Sequence, residues 1–163
     1  MKFLEIAKKN NLPIAQTIQN AYNLIRREYD SALAEISTYE WIGSLPYSPL
    51  AGWILTGKYQ NGALPEGCRY TLWGKDRMPQ NYNERTLAAT AEYIKLADSL
   101  WITVTQLALA WVNDRSFVNS NIIGTTSVEQ LKECISSAEI ELSNETRAEI
   151  DRIYTKHPNP CTF

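Results

Sequence analysis

Histidine is almost absent from this chain, with His157 the single example among 163 residues. It sits in Lys156-His157-Pro158-Asn159-Pro160, where the proline spacing implies a loop, so neither a metal centre nor a Ser-His-Asp triad is expected around it. Cysteine is scarce too. Cys68, Cys134 and Cys161 are odd in number, far apart and without a CxxC pair, a pattern of free thiols rather than of a disulfide framework or metal clip. Charge of one sign is missing as well: 16 basic against 18 acidic residues leave a formal net charge of -2, which offers no electrostatic footprint for nucleic acid or an anionic membrane. No apolar run approaches the ~20 residues of a membrane span, and MKFLEIAKKNNLP lacks the apolar stretch of a signal peptide. A cytoplasmic protein is the expectation. Finally, no GxGxxG follows a strand and no GxxxxGK[ST] occurs, so the two commonest phosphate cradles are excluded.

What is present suits one ordinary globular domain. Hydrophobic residues make up 44% and charged residues 21%, and a chain near ~150 residues buries roughly 70% of its unfolded surface. Phe3, Leu4 and Ala7 share a helical face that Asn10-Asn11-Leu12-Pro13 ends. A brief strand is expected over Ala15–Gln19, then a helix capped by Asp30 or Ser31 with Leu33 and Ile36 inward. Ile42–Pro46 reads as a second strand. Leu50 to about Asn83 holds five of the seven glycines and reads as a long, functional loop. A helix with Leu87, Ala91, Ile94 and Ala97 aligned follows, and Thr103-Val104-Thr105-Gln106 is a capping box for the next. Phe117–Ile123 reads as a third strand broken by Gly124. Thr126-Ser127-Val128-Glu129 is a second capping box, opening a helix with Leu131, Ile135 and Ala138 inward, and a last helix starts at Ser143. Strand and helix thus alternate three times, an α/β pattern that fits either an open doubly wound sheet or part of a closed barrel.

Three segments lie where a strand gives way to a loop, the face on which parallel α/β proteins place their sites. They are Gln19–Asn23, Tyr47-Ser48-Pro49-Leu50, and the run from Ile122 to Leu131. The order of YSPL after a strand, TGKY at Thr56–Tyr59, and IIGTTSVEQL opening a late helix resembles the aldo-keto reductases. Within them the likeness is to the branch of the potassium-channel β-subunits and related bacterial reductases. It covers nearly the whole chain and implies that residues 1–163 are the carboxy-terminal part of such a domain: a partial (β/α)8 TIM barrel, strands six to eight with their helices.

The resemblance implies an NADP(H) site. It places Gln19 at the nicotinamide carboxamide and Tyr47 against the nicotinamide ring. An amide can donate and accept, and a flat aromatic can hold a flat ring in register. By itself Tyr47 would also suit a capped core aromatic. Ser48, Pro49 and Leu50 would meet the pyrophosphate, with Lys58 and Arg69 crossing the phosphates, although a loop lysine and arginine are otherwise ordinary solvated surface. Gly124, Thr126 and Gln130 would hold the adenosine end, the helix start offering N–H groups to a 2′-phosphate. A plain capping box is compatible with that role. Glu133 would approach the adenine amino group, while Cys134 stands where this branch often has asparagine and cannot make the same paired hydrogen bonds.

The same resemblance implies an absence. The Asp, Tyr, Lys and His tetrad of the family comes from earlier strands than these, and the Ser-Asn pair of the fifth strand does too. Three strands would also leave two unpaired edges. The expectation is therefore a reductase fragment that is inactive alone and active only when another chain carries the missing barrel strands. Two other readings remain: a non-catalytic nucleotide-binding or regulatory module, and a decayed gene product without function.

Overall fold

The computed structural model describes residues 2–161. Helix α1 (Lys2–Lys9) leads to strand β1 (Thr17–Ala21), helix α2 (Leu33–Glu40) and strand β2 (Gly43–Tyr47). A long excursion with the short helix α3 (Arg69–Trp73) precedes α4 (Glu84–Ser99) and α5 (Val104–Asn113), and α6 (Val128–Ser136) and α7 (Asn144–Lys156) complete the order. β1 and β2 are parallel, with Thr17 opposite Gly43 and Ala21 opposite Tyr47. The alternation of helix and strand expected of an α/β chain is present.

The third strand is reduced to two isolated parallel bridges, Ser44 to Val118 and Tyr47 to Ile122. β2 explains why. The Ser44 N–H is taken by the Asn119 side chain at 3.1 Å, and Pro46 has no N–H to give. Only the acceptors remain, Ser44 O receiving Asn119 N at 2.9 Å and Pro46 O receiving Ile122 N at 2.8 Å. The segment follows β2 without building a full ladder. Among the described residues β1 pairs on one side only.

Because side chains alternate along a strand, the sheet has two unlike faces. Ser44 and Pro46 are buried and Ile18 packs on the core. Gln19 and Tyr47 share the opposite face and are exposed. The first face packs into the core, and the second is open at Gln19 and Tyr47, although Ala21 on it is buried.

Caps fix the long helices. Asn83 and Thr86 form a capping box at α4, Thr103 and Gln106 another at α5, and Ser143 accepts from Thr146 N at α7. Two expectations fail. α2 has no side-chain cap, because the Asp30 carboxylate instead accepts the Tyr22 hydroxyl at 2.6 Å and Ser31 bonds back to Glu28 O. The cap of α6 is Ser127, accepting from Gln130 N, one residue later than the box read from Thr126.

Buried faces also rotate from those expected. α4 buries Thr86, Ala89, Thr90, Tyr93 and Ala97, because Thr86 and Thr90 satisfy their hydroxyls on backbone carbonyls and Tyr93 on Leu24 O. On α6 Cys134 is buried, while Val128, Leu131 and Ile135 are exposed and Ala138 beyond them is too. Phe3 and Ile6 of α1 are likewise exposed, against buried Leu4 and Ala7. α5 buries all but Gln106 and Asn113, forming the spine of the core.

Arg27 is the unexpected keystone. Its guanidinium lies 4.2 Å from the ring centroids of both Trp111 and Tyr154. It donates to Leu24 O, Ile150 O, the Tyr93 hydroxyl and Asp151. A buried cation with its donors satisfied in this way joins the loop after β1 to α4, α5 and α7.

Candidate functional site

β2 ends at Tyr47, and the chain then turns through left-handed conformations that side chains rarely adopt: Ser48 at φ 55°, Ala51 at 48° and Trp53 at 73°, with Gly52 at 66° between them. Each such non-glycine residue costs on the order of 1 kcal/mol. Buried Asn23 holds the turn in place, its amide donating to Ser48 O at 2.9 Å and its oxygen accepting Ile25 N at 3.1 Å. Tyr22 N and Ala51 N donate to Tyr47 O and Ser48 O. Strain concentrated in one tightly held turn is a mark of a functional segment.

That turn is one wall of a cavity of about 280 Å³, lined by Tyr47, Ser48, Pro49, Leu50, Gly52, Trp53 and Arg69, and on the far side by Ile122, Ile123, Gly124 and Cys134. Six residues selected from the sequence therefore meet in one place: Tyr47, Ser48, Pro49, Leu50, Arg69 and Gly124. Lys58 is not in the lining but lies 4.8 Å over the ring of Trp53, which is. Arg69 lies 5.2 Å from the Trp73 ring centroid and reaches Met78 Sδ at 3.8 Å. Among the described residues neither cation is ion-paired, so both charges are free to face an anion.

Besides Lys58, four selected residues lie outside the cavity wall. Gln19 sits on the open sheet face, one step of the same face from Ala21, which pairs with Tyr47. Thr126 and Gln130 bond to each other, Gln130 Oε1 accepting Thr126 N at 3.0 Å and Thr126 Oγ1 at 3.2 Å. Glu133 accepts the Thr103 hydroxyl at 2.7 Å and so faces α5. Its neighbour Cys134 turns inward to the cavity, where burial and the Glu133 charge push its thiol pKa up.

Gly124 is informative because of what surrounds it. Five of the seven glycines have positive φ, and at Gly43 a Cβ would meet Asn119 at 3.0 Å. At Gly124 φ is not positive and no atom lies within 4 Å of an added Cβ. The fold alone does not require glycine there, yet the residue lines the cavity.

Sequence reasoning missed Gly52 as a wall residue and Asn23 as the clamp beneath it. The signal for Gly52 was its place directly after Tyr47–Ala51. The burial of Asn23 and its bond to distant Ser48 O have no sequence signature.

The family model for the aldo/keto reductases matches residues 2–155. The chain belongs to the aldo/keto reductase family. The protein tas of Escherichia coli (strain K12) is 41% identical over 161 residues, covering 99% of this chain and 46% of that protein, and the Shigella flexneri protein of that name matches equally. A Schizosaccharomyces pombe protein, named as a candidate voltage-gated potassium channel subunit beta, is 32% identical over 161 residues, 94% of this chain and 46% of its own length. This aldo/keto reductase chain thus spans about half the length of the curated relatives it matches. Among the described residues no helix is long and apolar enough to cross a membrane, and no group of acidic, histidine or cysteine side chains could hold a metal ion.

Proposed function

We propose that this chain holds the NADP(H) cofactor of a carbonyl or alcohol oxidoreductase and takes its proton-transfer groups from outside residues 1–163. The observation that carries this reading is the meeting of Tyr47–Leu50, Arg69 and side-chain-free Gly124 around one cavity. Tyr47 and Gln19 share the open sheet face, where a ring and its carboxamide would be held. Ser48, Pro49 and Leu50 flank the pyrophosphate path, with Lys58 and Arg69 beside it. Gly124 leaves room at the adenosine end. Gln130 occupies the donors of Thr126, so a phosphate arriving there displaces the Gln130 oxygen, and Glu133 must leave Thr103 to reach an adenine. The cofactor, when bound, supplies a hydride for the carbonyl carbon.

Two further features support a division of labour. Tyr22, Tyr59, Tyr70, Tyr93 and Tyr154 all have hydroxyl pKa values pushed up, burial being the leading cause, Tyr70 and Tyr93 to about 12. That is opposite to what a general acid working near neutral pH requires. His157 is bound to Glu92 at 2.8 Å, beside α4 and α7. The exposed Phe3, Ile6, Val128, Leu131 and Ile135, together with the free edge of β1, suit contact with further barrel strands and helices.

Titration with NADPH tests the reading, because Trp53 in the wall reports through its fluorescence. Saturable quenching is expected, and Arg69→Ala is expected to weaken NADPH by roughly 10- to 150-fold, the loss of one charge-assisted contact, with a much smaller effect on NADH. No signal at millimolar NADPH removes the proposal. Equal losses for both cofactors assign Arg69 to the pyrophosphate or the fold.

A further inference from the structure

The wall of the cavity is tied to a distant part of the chain through one buried amide. Asn81, 5% exposed, receives the Cys161 thiol on Oδ1 at 2.8 Å. Its Nδ2 faces Met78 Sδ at 4.0 Å, and the same sulfur receives Arg69 Nη1 at 3.8 Å. A Cβ at Gly52 would lie 3.0 Å from both Asn81 Nδ2 and the Tyr70 hydroxyl. Asn81 therefore packs between wall residue Gly52, the Tyr70 that follows Arg69 in α3, and the carboxy-terminal segment.

That segment, residues 157–161, is a strap pinned at each step. Pro158 O accepts from Arg85 Nη2 at 3.2 Å, Asn159 Oδ1 from Arg27 N at 2.9 Å, and Pro160 O from Asn83 Nδ2 at 3.5 Å. Cys161 N donates to Ile25 O at 3.4 Å. Burial raises the Cys161 thiol pKa to about 11, so it remains a donor across the physiological range.

We propose that Asn81 is a positioning residue that couples the strap at residues 157–161 to the cavity wall, setting the orientation of Arg69 through Met78 and of the turn at Gly52 through direct packing. The cofactor role of Arg69 rests on the function proposed above, whereas the mechanical coupling does not. Linkage makes the effect reciprocal: what binds against Arg69 and Gly52 also secures the strap.

Hydrogen exchange on the full chain without cofactor tests the coupling. Asn81→Ala, Cys161→Ala and a chain ending at His157 are each expected to speed exchange over residues 68–82 while α5 stays protected. Unchanged exchange in that segment overturns the proposal, and lost protection throughout overturns it as well, since Asn81 would then serve the whole fold. NADPH titration supplies the second arm. Losing one neutral hydrogen-bonded link is expected to weaken NADPH about 5- to 10-fold. Asn81→Ala should add little in an Arg69→Ala background, because both act through one contact. Full additivity overturns the route through Arg69. If the unaltered chain binds no NADPH, the function proposed above falls and the exchange result alone decides the coupling.

Discussion

The helical layer and the strand ends of this molecule are held in opposite ways. On the helical side Arg27 is enclosed by two rings and several acceptors, α5 is almost wholly buried, and Tyr22 stacks on Trp111 at 5.1 Å. On the strand side Gln19 and Tyr47 face outward, a turn is kept in strained conformations by Asn23, and two cations rest on rings without carboxylate partners. Satisfied groups bring stability, and unsatisfied ones are what a ligand can use. The difference separates the part of the chain that makes the fold from the part that makes a site.

Substitutions should separate the two parts just as clearly. Arg27→Ala opens space between Trp111 and Tyr154 and removes a donor from the carbonyls of Leu24 and Ile150, of which Leu24 O keeps the Tyr93 hydroxyl. Asp151 is 63% exposed and can return to water, so the loss is expected at about 2–4 kcal/mol rather than more. Denaturant midpoints measure it, and Arg69→Ala in the same assay should change stability by less than about 0.5 kcal/mol. If the two arginines affect stability equally, the contrast between the regions is false.

A smaller effect is expected at the junction. Ser127→Ala removes the cap of α6 and should cost about 1 kcal/mol, seen as faster hydrogen exchange in the first turn of that helix, with α4 and α7 unchanged. Spread of the effect into α7 would show that α6 belongs to the clamped part.

The smallest expected effect depends on pH. His157 and Lys156 hold the Glu92 carboxyl down from 4.5 to about 2. The folded state binds this proton less readily than the unfolded chain, so the contribution is complete above pH 4.5 and disappears as pH falls towards 2. Glu92→Gln should therefore be less stable than the unaltered chain near neutral pH, with the gap closing through that window. A constant gap across it would show that the ion pairs of Glu92 do not titrate with folding.

Local signals were legible in the sequence. The capping box at Thr103, the helix start at Ser143, the alternation of strand and helix, and the motif Tyr47–Leu50 each depend on residues close in the chain. Arg69 and Gly124 were grouped with Tyr47 only through the family resemblance, and all three line one cavity. Contacts between distant residues were not legible. Asp30 had the residue type of a helix cap and became the acceptor of Tyr22; Leu131 and Ile135 had the spacing of a buried face and point outward. Asn119, by taking the Ser44 N–H, reduced an expected strand to two bridges. By itself the sequence determined the order of the longer helices and the first two strands, and the family, because caps, periodicity and motifs are short-range patterns. The tertiary structure alone decided which polar groups Arg27, Asn23 and Asn81 would satisfy, because each depends on acceptors and donors that only folding brings within hydrogen-bond distance.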